Sequence, residues 1–76
     1  MSKQLPVLSS REVIKALEKS GFYTIPNRGK GSHVFLYRDD PPKGITIPNN
    51  RELKRGTLRA IIRQADLTVE EFLALL

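Results

Sequence analysis

One histidine, His33, stands among the 76 residues, and it is the side chain whose unperturbed pKa lets it take or give a proton near neutrality. There is no cysteine, so a thiolate nucleophile and a disulfide framework are excluded, and a tetrahedral zinc cage would have a single imidazole to draw on. Directly before His33 runs Arg28-Gly29-Lys30-Gly31-Ser32. In a loop of this composition Gly29 and Gly31 allow close approach of the backbone to a phosphate, Lys30 brings a cation and Ser32 a hydroxyl. An imidazole beside a held phosphodiester suits RNA cleavage. The substrate's own 2′-OH attacks the adjacent phosphate once a base takes its proton, and cations stabilise the developing charge. Such chemistry needs no metal, no cofactor and no enzyme nucleophile. The bland alternative is a surface or hydrogen-bonded structural histidine, and both readings stand on spacing alone.

Charge adds a second candidate surface. Thirteen Lys and Arg against eight Asp and Glu leave the chain at +5, and the excess is concentrated: residues 28–63 hold nine basic and three acidic side chains. Within that stretch Lys54 and Arg55 are followed by Arg59 and Arg63, and the four-residue recurrence from Arg55 makes a stripe on one helix face along which a phosphate backbone could lie. A solvated face that keeps the protein in solution is the competing explanation. The basic faces lack the apolar half that a membrane-surface helix must bury, so nucleic acid is the expected polyanion and no membrane partner is expected.

These residues need a scaffold, and 76 residues suffice for one domain, 1–76, with 1–7 expected as a flexible N-terminus. Ser9 as cap with Glu12 three residues on forms a capping box, Leu8 can staple to Val13, and Gly21 supplies a left-handed stop, predicting a helix over about 10–20. Phe22–Ile25, His33–Tyr37 and Ile45–Ile47 are rich in aromatic and β-branched residues and read as three short strands, with Asp39–Gly44 as a turn. In the second strand either Val34 and Leu36 point inward, leaving His33, Phe35 and Tyr37 on the outer face, or the reverse holds. Leu58, Ile61, Ile62 and Ala65 have the spacing of one buried helical face starting near Gly56 or Thr57, and Thr68 with Glu71 caps a terminal turn carrying Phe72, Leu73, Leu75 and Leu76. The order αβββαα implies an α+β fold, a three-stranded antiparallel sheet packed on helices in two layers. The start, Met1 to Leu8, lacks the apolar run of a signal peptide, and no stretch approaches the roughly 20 apolar residues of a span, so a soluble cytoplasmic protein is expected.

With these residues in place a likeness becomes visible. Gly31-Ser32-His33 after a basic loop, Ile45-Thr46-Ile47-Pro48, and Gly56-Thr57-Leu58-Arg59-Ala60-Ile61 resemble, in that order, the HicA toxin family of toxin–antitoxin systems. Glu12-Val13-Ile14-Lys15-Ala16-Leu17-Glu18 with Gly21-Phe22 is similar to the family's first helix, and Gln64-Ala65-Asp66-Leu67-Thr68 with Glu71-Phe72-Leu73 to its last segments, so the likeness runs from about Leu5 to Leu76. It implies a fold like a double-stranded RNA-binding domain and ribonuclease activity against mRNA, with the family's histidine falling on His33. It further implies that such a toxin slows translation and growth and that a HicB-type antitoxin covers the catalytic histidine. Many relatives carry a second His shortly after the proline of the third strand, where this chain has Asn49-Asn50.

Two rivals share the same residues. One is a non-catalytic RNA-binding module in which His33 touches a 2′-OH. The other is a small protein-interaction domain whose basic face recognises an acidic partner.

Overall fold

The computed structural model describes residues 5–26 and 31–76. Helix α1 (Ser10–Glu18) starts where the sequence places it. Ser9 accepts from the Glu12 amide, the Glu12 carboxylate accepts from the Ser9 amide at 2.9 Å, and Gly21 sits at φ +102° to end the helical segment. Val13, Ala16 and Leu17 are buried, while Lys15, Glu18 and Lys19 face water.

Three antiparallel strands follow in the order β1 (Tyr23–Thr24), β2 (His33–Asp39), β3 (Pro42–Pro48), with β2 central. The hairpin departs from the expected turn. Asp39 through Gly44 is not one long turn: Asp39 pairs with Pro42, Arg38 with Lys43 and Tyr37 with Gly44, so that only Asp40 and Pro41 lie between the strands. Composition misleads here because Pro42 opens an edge strand, where a missing N–H costs no ladder bond, and because Gly44 marks a close approach rather than a bend. A Cβ at Gly44 would stand 2.7 Å from Cζ of Phe35, whose ring occupies that space.

Register settles the two-way choice in β2. Leu36 is fully buried opposite Ile45, Val34 packs on the core opposite Ile47, and His33, Phe35 and Tyr37 therefore share the outer face with Thr46 and Tyr23.

Helices α2 (Arg55–Gln64) and α3 (Val69–Leu73) complete the chain. Helix α2 begins a residue or two earlier than the sequence suggests, and its buried face is Leu58, Ile61 and Ile62, with Ala65 just beyond. Thr68 and Glu71 close the expected capping box, and Phe72 is buried, although Leu76 stays exposed. The helices and the inner sheet face enclose one core, so the α+β order is that of a double-stranded RNA-binding domain. Leu5 belongs to this core and its carbonyl accepts from Nε of Arg55 at 2.9 Å, which anchors the chain from residue 5.

Arg38 knits the far end of the sheet to the helices. From the inner face it donates to the Pro41 carbonyl, the Ala65 carbonyl and the Asp66 carboxylate, and its guanidinium lies 4.8 Å from the Phe22 ring centre. Asp66 itself caps α2 in the left-handed region at φ 62°.

Candidate active site and nucleic-acid interface

His33 opens β2 beside Pro48, the last residue of β3, and its side chain is exposed on the outer sheet face. It has no hydrogen-bond or ion-pair partner among the described residues. Gly31, at φ +61°, makes the turn that delivers Ser32 and His33 to the strand, and both Gly31 and Ser32 are exposed. The remaining loop residues read from the sequence as phosphate ligands, Arg28 and Lys30, lie outside the described residues.

Several element ends converge on this edge of the sandwich. The Asn49 amide, one residue beyond Pro48, donates to the Ser32 carbonyl, and the Asn50 amide donates to Oγ of Ser10 at 2.7 Å. Ser10 is 1% exposed, and its single hydroxyl proton serves the carbonyls of Pro48 and Asn50. The N-terminus of α1 is thus fastened to the end of β3. The Leu53 amide donates to the Leu8 carbonyl at 2.8 Å, which brings the N-terminus of α2 to the same edge.

The α2 cations divide accordingly. Lys54 is the N-cap and Arg55 the first helical residue, so both belong to the His33 end. Among the described residues no side chain caps this terminus, and no acid lies in its first turn, so the helix dipole adds to the positive charge at this end. Arg59 and Arg63 are exposed about 6 and 12 Å farther along the axis, at 1.5 Å per residue. Since Leu58, Ile61 and Ile62 face the sheet's inner side, the stripe looks away from the face that carries His33. The two candidate surfaces meet only at the shared edge, through Lys54 and Arg55.

The outer face beside His33 is aromatic. The Tyr23 and Tyr37 rings make an edge contact at 6.2 Å, and Phe35 stands between Tyr37 and His33. The Tyr23 hydroxyl donates to Asp39 at 2.7 Å, and that bond to a carboxylate raises its pKa above the ordinary phenol value. Glu12 is the opposite case: the bonds it accepts from the Ser9 amide and hydroxyl hold its carboxyl below the usual range.

One feature of this edge has no local signal in the sequence. Ser9, Arg11, Asn49, Asn50 and Arg51 line an open depression of about 360 Å³ adjoining the His33 edge. Arg11 is far from Asn49 in sequence, and the hydrogen bonds of Ser10 and the Leu8–Leu53 pair bring them together.

A small basic α+β domain with an exposed histidine at the edge where its helix N-termini gather is the kind of protein that handles a polyanion. The family model described as "HicA toxin of bacterial toxin-antitoxin" matches residues 10–67, and the chain belongs to the HicA toxin family. It is the toxin of a toxin–antitoxin system, from a family known as mRNA interferases. The matched span runs from the first residue of α1 past the end of α2 and includes the β1–β2 loop, His33 and the whole α2 stripe. No curated protein matches the chain. Among the described residues no helix is long and apolar enough to cross a membrane.

Proposed function

We propose that this toxin is an endoribonuclease that cuts mRNA by acid–base catalysis at His33. The observation that carries the reading is the exposed imidazole of His33, without a partner among the described residues, directly after the Gly31–Ser32 turn. His33 takes the proton of the 2′-OH, whose oxygen then attacks phosphorus and expels the 5′-oxygen of the next nucleotide; alternatively His33 gives that leaving oxygen its proton. One imidazole does not do both at once, so the partner proton moves to or from water. Lys30 and the Gly31 and Ser32 amides hold the phosphate, and Arg28 adds charge.

Lys54 and Arg55 continue the phosphate path from this edge, with Arg59 and Arg63 extending it along α2. Phosphate contacts position without specifying, so sequence preference is weak. Tyr23, Phe35 and Tyr37 give a stacking surface for bases splayed from the strand. A HicB-type antitoxin silences the toxin by covering His33. No small-molecule cofactor takes part.

The test is incubation of the purified toxin with RNA in excess chelator, followed by end-group analysis. Fragments ending in a 2′,3′-cyclic phosphate with a 5′-hydroxyl on the downstream piece are expected. Intact RNA that is merely bound and protected would favour a non-catalytic module, and 3′-hydroxyl ends would overturn the 2′-OH chemistry.

A further inference from the structure

We propose that the depression between α1 and the end of β3 is a subsite for the nucleotide flanking the scissile phosphate, with Arg11 and Arg51 holding that nucleotide's phosphate and Asn49 and Asn50 hydrogen-bonding its sugar or base. This inference rests on the ribonuclease reading of His33 and adds residues that neither the sequence motifs nor the α2 stripe include.

Position is the first argument. Pro48 pairs directly with His33, and Asn49, the next residue, forms the near wall of the depression. The Asn49 amide is bonded to the carbonyl of Ser32, the residue before His33. The depression therefore begins about 5 Å across the sheet and about 3.4 Å along the strand from His33, one nucleotide's reach away. At about 360 Å³ it lies at the lower end of small-ligand sites.

Chemistry is the second. Arg38 is consumed by two carbonyls and Asp66, Arg55 has its Nε on the Leu5 carbonyl, and Lys19 caps the Leu75 carbonyl. By contrast the side chains of Arg11, Arg51, Asn49 and Asn50 have no partner among the described residues, yet all four face one hollow. Two guanidiniums offer forked donors to phosphate oxygens, and two amides offer the donor–acceptor pairs that read base edges. The nearby Glu12 carboxylate is turned back onto the Ser9 amide and hydroxyl, 2.9 and 3.1 Å away. Among the described residues no apolar side chain lines the hollow, so it lacks the anchor pocket that a protein partner needs.

Rigidity is the third. Buried Ser10 fixes both walls to each other through the Pro48 and Asn50 backbone, so the subsite is formed before the strand arrives.

The experiment uses the His33→Gln variant of the whole 76-residue chain, expected to bind RNA without cutting it, and a fluorescent single-stranded oligoribonucleotide titrated across a salt series. Arg11→Gln and Arg51→Gln are each expected to weaken binding about tenfold, the lower end for a charge-assisted hydrogen bond. Each should also lower the salt slope by about 0.7, the loss of one single-strand phosphate contact. Lys43→Gln removes the same charge at the opposite end of β3 and is expected to leave the slope unchanged. Unchanged affinity and slope in both arginine variants, on a parent that binds, overturn the subsite alone. An equal loss in Lys43→Gln overturns it too, by showing a net-charge effect. A parent that does not bind RNA overturns the subsite and the ribonuclease reading together.

Discussion

Ser10→Ala removes one oxygen atom from a position that joins three pieces of backbone. The hydroxyl accepts from the Asn50 amide at 2.7 Å and directs its proton between the carbonyls of Pro48 and Asn50. Neither side is wholly orphaned by the change, because the Ser10 amide still reaches the Asn50 carbonyl at 3.0 Å and the Asn50 amide keeps a bent bond to the Pro48 carbonyl. The loss therefore falls in the lower part of the range for unsatisfied buried groups, about 1.5 kcal/mol. Alanine's better helix propensity offsets about 0.5 kcal/mol of that, leaving about 1 kcal/mol. For a domain whose total stability is about 4–11 kcal/mol, this lowers Tm by about 4–8 °C in a circular-dichroism melt. Thr68→Ala, which deletes the N-cap of α3, costs about the same. Cleavage separates the two variants. At a temperature where both are folded, Ser10→Ala lowers kcat/KM about tenfold by loosening Asn49 and the Ser32 turn it holds, while Thr68→Ala leaves it unchanged. An unaltered Tm, or equal cleavage by both variants, would refute the idea that Ser10 sets the edge on which His33 sits.

Three further outcomes follow from other parts of the fold. Gly44→Ala places a Cβ 2.7 Å from the Phe35 ring and should cost about 1–3 kcal/mol in urea unfolding; Gly56→Ala, with nothing within 4 Å, should cost nothing, so equal midpoints for the pair would contradict the packing. Asp39→Ala should return the Tyr23 titration, followed by ultraviolet absorbance, towards the ordinary phenol value. Because the folded pKa is raised, the Tyr23–Asp39 bond contributes fully below about pH 10 and is lost as pH climbs through the folded value; an unmoved titration would exclude that bond. Arg59→Ala should reduce the salt slope of RNA binding by about 0.7, and an unchanged slope would make the stripe a solvated face.

Much of the scaffold could be read from local signals because its cues are local. The Ser9–Glu12 and Thr68–Glu71 boxes, the Gly21 stop and the Leu58–Ile61–Ile62–Ala65 face each depend on neighbours within one or two turns, and each appears where its spacing puts it. Pairing is not local. Lys43 and Gly44 look like turn residues until the register sets them opposite Arg38 and Tyr37, and the β2 pattern fits either facing until Leu36 finds Ile45. The histidine was legible because it is the only one in the chain. Spacing alone does not say how the Arg59–Arg63 stripe stands to the histidine, because that depends on the two-layer packing, which turns α2's free face away from the sheet's. The meeting of Arg11 and Arg51 has no sequence signature, because it depends on the tertiary hydrogen bonds of Ser10 and of the Leu8–Leu53 pair.

His33→Gln, purified free of host nucleases, tests the catalytic assignment most directly. His33 is exposed and without a partner among the described residues, so the variant should melt at the same temperature and bind RNA with the same affinity. Its cleavage rate should fall at least 10²-fold, the lower end for one general acid or base, and its induction should no longer arrest growth. RNA cut at the wild-type rate by the folded variant would contradict the account.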